Sequence, residues 1–133
     1  MKMFYERTAR RTPQEIRTDV ESVLKRHGFI LVNIHDLHEM YIRAGHHVAG
    51  ELFVFEISNP DLGKDAVRAL PQCTVFMPYR ISLYVRDGKT RLATLLPTEV
   101  SKVLPVPPAM RRSKAGRDYE RRLKAVLREL CGK

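Results

Sequence analysis

Ser58, Asn59 and Tyr79 form the first set of candidate ligand-binding residues in this 133-residue chain. Ser58-Asn59-Pro60 reads as a handover from a strand to a helix. An Asn at that place accepts from a first-turn amide, and Pro fits the first helical position because its missing N–H would have had no partner there. Amides left free at such a start attract anions, and the Ser58 and Asn59 side chains can add donors. Plain capping explains the same residues, since caps stand at most helix starts. Tyr79 follows the Met77-Pro78 break in an apolar run.

A second set is His35, His38, His46 and His47. Zinc takes three or four such ligands in tetrahedral reach. The 35/38 spacing is not the i, i+4 pair of a metalloprotease helix, and no cysteine lies nearby. Solvated loop histidines are the expectation, with a metal-dependent enzyme as the alternative. Cys73 is expected to open an apolar strand and to be buried as a small hydrophobe, whereas Cys131, near the C-terminus, is expected to be exposed. Glu51 and Glu56 lie five apart at a strand and point to opposite faces, so they are no carboxylate pair. The chain has no phosphate-binding glycine loop, no nucleophile elbow and no cysteine pair at metal spacing. This favours a binding or accessory role over catalysis and names no cofactor.

The elements that must position these residues are readable from turn and cap signals. Met3 to Thr8 is predicted to be a strand. Thr12-Pro13-Gln14-Glu15 is a capping box with proline at the first turn. Ile16, Val20, Val23, Leu24 and His27 follow at helical spacing, and Gly28 ends that helix. Phe29 to Ile34 is a second strand, and Asp36 caps a short helix. The near-continuous apolar run from Leu52 to Ile57 predicts an interior strand. The next helix runs from Pro60 to Leu70, with Val67 and Leu70 toward the core and Ala66 and Ala69 allowing close approach to the sheet. Thr74 to Met77 and Arg80 to Arg86 are predicted strand segments separated by Pro78, which cannot donate to a ladder. Asp87-Gly88 turns a hairpin into Thr90 to Leu96, and Pro97-Thr98 opens a short helix ending near Leu104. Strands outnumber helices and the last two form a hairpin, so the fold class is α+β with a mostly antiparallel sheet and helices on one face.

Pro105-Val106-Pro107-Pro108 reads as a stiff linker. Beyond it Tyr119, Leu123, Val126, Leu127 and Leu130 form an apolar stripe on a basic helix. Residues 106–133 hold 9 Lys and Arg against 3 Asp and Glu, which is +6 of the chain's net +9. The expected organisation is therefore an α+β domain over 1–104 and an appended linker and basic amphipathic helix over 105–133. That helix can dock its leucines on its own core or on a second subunit, lie on an acidic membrane surface, or contact nucleic-acid phosphates. The chain lacks Trp and has few aromatics, so base stacking is not indicated. No apolar run approaches the roughly 18 residues of a membrane span. The N-terminus is too short and polar for a secretory leader, and the expectation is a cytoplasmic chain with reduced thiols.

Residues 3–104 resemble the bacterial and archaeal domain-of-unknown-function family 302. The matching pieces come in order: Phe4-Tyr5-Glu6, His27-Gly28-Phe29, Ser58-Asn59-Pro60, Ala66 to Leu70, Met77-Pro78, Asp87-Gly88 and Pro97-Thr98-Glu99. The resemblance implies a curved sheet like that of the TATA-box-binding protein, a homodimer, and a setting near sulfur-oxidation or thiol-handling genes. It implies nothing about DNA binding. Many members carry cysteine where this chain has Ser58 and again where it has Tyr79, so a thiol pair is missing here. The combined expectation is a dimeric binding protein for a small anionic or sulfur-containing ligand near Ser58, Asn59 and Tyr79. An interaction protein acting through residues 106–133 is the alternative.

Overall fold

The computed structural model describes residues 3–107 and 113–132. Thr12 begins α1 (Pro13–Arg26) with a closed capping box: its hydroxyl accepts from the Glu15 amide, and the Glu15 carboxylate accepts from the Thr12 amide. Five strands follow the alternation of the sequence: β1 (Phe4–Thr8), β2 (Ile30–Asp36), β3 (Leu52–Ser58), β4 (Tyr79–Arg86) and β5 (Lys89–Leu95). They form one antiparallel sheet in the order β1-β5-β4-β3-β2. β3 is interior, as its apolar run predicts. The β4–β5 turn has positive φ at both Asp87 (53°) and Gly88 (73°), the backbone hand that suits a two-residue hairpin.

Alternation puts Phe53, Phe55, Ile57, Ile81, Leu83 and Leu92 on one face, all buried. Two helices cover that face. α1 contributes Ile16, Val20, Val23 and Leu24. The other is the C-terminal helix, Lys114–Leu130, whose Leu123, Val126, Leu127 and Leu130 are fully buried in the same core cluster. This corrects the appended-arm expectation. The boundary near residue 104 does not separate two units, because the apolar stripe is part of one shared core. Of the readings of that helix, docking on its own core is the observed one, and no stripe is left free for a membrane. Lys114, Arg121 and Arg128 remain exposed on its other side. Cys131, expected to be exposed, is fully buried in this core. Burial lifts its thiol above the usual range, with nearby Arg7 opposing the shift.

Three polar ties hold the helical layer in place. Glu129 accepts from Arg26 and pairs with His27 at 2.9 Å, and these bonds lower its carboxyl below the ordinary value. The Arg10 amide donates to the Cys131 carbonyl at 3.0 Å. The Arg122 guanidinium donates to the His27 carbonyl at 3.2 Å.

Two further elements differ from expectation. Thr74 to Met77 is not a strand: Pro71–Phe76 forms a 3-10 helix. The Thr74 hydroxyl donates back to the Pro71 carbonyl at 2.8 Å, and the Cys73 amide to the Leu70 carbonyl at 2.9 Å. β-Branched and aromatic composition is overridden there by the proline-initiated turn. β4 starts only after the cis Met77–Pro78 bond. The helix from Asn59, α3 (Pro60–Ala69), has no buried residue, so Val67 and Leu70 do not pack into the core. A short helix, α2 (Leu37–Arg43), follows β2 behind an Asp36 cap. Among the described residues no helix is long and apolar enough to cross a membrane.

Candidate functional site

Asn59 is the hinge on which the candidate site is built. It is 8% exposed. Its Oδ1 accepts from the Leu62 amide at 3.1 Å, and its Nδ2 donates to the Gly28 carbonyl at 2.9 Å. Gly28 lies in the left-handed region at φ +84°, and a Cβ there would stand 2.6 Å from Arg122 Nη1. The turn after α1 is thus held from two sides, by Asn59 ahead of α3 and by Arg122 of the C-terminal helix, here α5. Both ends of the Asn59 amide are occupied by the fold. The first turn of α3 is also largely used. Pro60 has no N–H, the Leu62 amide goes to the Asn59 side chain and the Gly63 amide to the Asn59 carbonyl. What remains is the Asp61 amide, beside the Asp61 carboxylate. This start is a poor anion site, and the capping reading of Asn59 accounts for its contacts.

The three predicted site residues nevertheless meet. Ser58, Asn59 and Tyr79 all line one cavity of about 660 Å³. Its floor is the end of the sheet, from Ile57 to Asn59 and at Tyr79. One wall is the inner side of α3, with Leu62, Gly63, Ala66 and Val67, and another is Cys73, Phe76 and Met77. The third comes from α4 (Pro97–Val100), Leu104 and Val106, and the fourth from the first turns of α5 at Ala115, Gly116 and Tyr119. Glu120 ties the last two walls together: its Oε1 accepts from the Thr98 amide at 3.0 Å and from the Thr98 hydroxyl at 2.6 Å.

The lining is chiefly apolar, and its aromatic wall is ordered. The Tyr119 ring meets Phe29 edge-on at 5.2 Å and Tyr79 at 5.4 Å. The Tyr79 hydroxyl donates to the Leu95 carbonyl at 2.5 Å. Burial raises the Tyr79 phenol far above its ordinary range, with Tyr119 and Glu120 adding to the shift, and burial alone raises that of Tyr119. Both are neutral hydroxyls, not bases. Cys73 is buried as expected, but within the 3-10 helix, and burial raises its thiol as well. A raised thiol is a poor nucleophile.

The histidines are not brought together. His35, on β2, pairs with Glu56 at 2.6 Å. His38 is on α2, and His46 and His47 are exposed in the loop beyond it. Among the described residues no three His, Cys, Asp or Glu groups stand close enough to hold a metal. Sequence reasoning missed Tyr119, Cys73, Val100 and Val106 as lining residues. Their one sequence signal was the strong amphipathic pattern of α3, an apolar helix side that needed something opposite it.

A family model described as Domain of unknown function DUF302 matches residues 5–130. The match runs through α5, beyond the resemblance over 3–104. No curated protein matches. The crystal structure of an uncharacterized conserved protein DUF302 from Bacillus stearothermophilus is similar at a TM-score of 0.87 and 21% identity, covering 98% of this chain and 99% of that one. At that identity the likeness is one of fold.

Proposed function

We propose that this chain, which belongs to the DUF302 family, is a binding protein whose cavity behind α3 takes a small, largely apolar molecule. One observation carries the reading. α3 is amphipathic yet has no buried residue, because the inner side of the helix faces about 660 Å³ of space instead of packed core. Packed interiors leave few voids larger than a water molecule, whereas ligand pockets occupy about 300–1,000 Å³ and are lined mainly by apolar groups. The used-up amides at the start of α3 favour an apolar ligand over the anionic one expected from sequence. A thioether or other neutral sulfur compound falls within the same class.

N-phenyl-1-naphthylamine, a neutral apolar dye whose emission rises out of water, tests this reading. Gly63 lines the cavity, and a Cβ there meets no atom within 4 Å. Gly63→Phe is expected to weaken dye binding about tenfold or more by filling the space, while the urea midpoint holds or rises through better helix propensity. Dye binding that is absent, or equal in the variant, overturns the reading.

The reading includes a homodimer. The sheet face turned away from α1 and α5 supports it, with Phe4 52% exposed beside a shallow groove lined by Val54, Ser82, Ala93 and Leu95. Sedimentation velocity is expected to give twice the chain mass of 15.4 kDa; a monomer at every concentration removes this part. The sheet order and one-sided helical cover also support a curved, TATA-box-binding-protein-like form, which carries no implication of DNA binding.

A further inference from the structure

We infer that the ligand of this cavity is neutral and carries a hydrogen-bond acceptor, such as a ketone, ester or ether oxygen, held by the Tyr119 hydroxyl. The inference rests on the proposed cavity reading and adds the chemistry of recognition.

The polar groups lining the cavity divide into used and unused ones. Tyr79 donates to the Leu95 carbonyl and Ser101 to the Thr98 carbonyl, while Ser113 Oγ accepts from the Gly116 amide. The Asn59 amide is occupied at both ends. The hydroxyls of Ser58 and Tyr119 have no hydrogen bond to a described residue, and Tyr119 is the one whose orientation is fixed by its neighbours. Its ring is held edge-on by two aromatic side chains. Its oxygen is not sealed off in packed core, so it is open to a partner that enters the cavity. Since burial keeps it protonated, it is a ready donor on a preorganised ring, and a ligand acceptor is the natural complement.

Charge points the same way. The charged side chains described on the wall, Lys64, Asp65 and Arg68, are exposed on α3, and Asp65 and Arg68 face each other at 4.0 Å. A carboxylate drawn down to Tyr119 would leave water with no cation among the described lining residues beside it, and burying an unpaired charge is far more costly than burying a hydrogen-bonded carbonyl. The cavity therefore discriminates by polarity as well as by size.

The test uses the full chain loaded with N-phenyl-1-naphthylamine and displaced by two probes of equal length, 2-nonanone and nonanoate, at a pH where nonanoate is ionised. The ketone is expected to displace the dye at about tenfold lower concentration than the carboxylate. Tyr119→Phe removes an oxygen that bonds no described residue, so its urea midpoint is expected to match the parent chain, and its ketone displacement is read relative to its own dye affinity. The same variant is expected to need about fivefold more ketone, the scale of one lost neutral hydrogen bond. Nonanoate displacing as well as the ketone overturns the inference, and so does a ketone response unchanged in Tyr119→Phe. Both results leave dye binding intact, so they are distinct from a failure of the cavity itself. A chain that binds no dye loses the cavity reading first and this inference with it.

Discussion

A chain ending at Val106 will not fold. The helix it lacks contributes Leu123, Val126, Leu127, Leu130 and Cys131, each at 0% exposure. Burying one such side chain is worth about 1.5–3 kcal/mol, so the five together come to about 10 kcal/mol. Domains of this size have net stabilities of about 5–15 kcal/mol. The truncation also opens the core cluster that the helix shares with the sheet, and removes the acceptor for the Arg10 amide and the partner of Arg26 and His27. Far-UV circular dichroism should show loss of native structure, and urea should give no cooperative transition. A cooperative transition with a native-like slope would show that residues 3–106 are self-sufficient and that the helix is an accessory after all. Until then, a binding activity lost on deleting the basic helix says nothing about its charges, since the deletion takes the core with it.

Asn59→Ala is expected to destabilise the domain by about 2–4 kcal/mol. Loss of an N-cap costs about 1 kcal/mol. Leaving the Gly28 carbonyl without its donor adds about 1–3 kcal/mol, because the amide that served it is itself buried. Asn59→Asp separates the two parts. It keeps an oxygen to cap the Leu62 amide but presents an acceptor to the Gly28 carbonyl, so the tether is lost while the cap survives. The ordering expected from urea midpoints is parent highest, with both variants well below it. If Asn59→Ala unfolds with the parent chain, the tether between the α1 turn and α3 contributes nothing, and Asn59 becomes available as a ligand contact. The position illustrates why a residue singled out for binding must first be tested for its structural employment.

How legible the molecule was varied with how local the determining contact is. Thr12, Asp36 and Asn59 were readable as caps because a cap is decided within three residues. The hairpin at Asp87-Gly88 and the interior run of β3 were readable for the same reason. The C-terminal helix was set apart as an appended arm by its charge and the prolines before it, although docking of its leucine stripe was the favoured reading. Its leucine spacing was the ordinary signature of a core helix, but spacing does not say which surface the stripe covers. Thr74 to Phe76 has strand-like composition and lies in a 3-10 helix, set by Pro71 and by bonds back to Pro71 and Leu70. The cavity was only half legible. Ser58, Asn59 and Tyr79 sit at the floor because a strand end and a helix start converge there. Tyr119 and Val100 reach the same space only after the chain has passed around the whole sheet, and no pattern near them in sequence reports that.

The Arg10 amide bonded to the Cys131 carbonyl has a consequence for how the protein is made. The segment after β1 is tied to the end of α5, and the residues that seal the sheet are synthesised after all five strands. A ribosome adds about 5–20 residues per second, so for seconds the strands exist without their cover. Long-range closure of this kind slows folding and leaves apolar strand faces open to other nascent chains in the meantime. Folding of this domain therefore waits for residue 130, and its yield in a cell depends on what shields the sheet before that residue arrives.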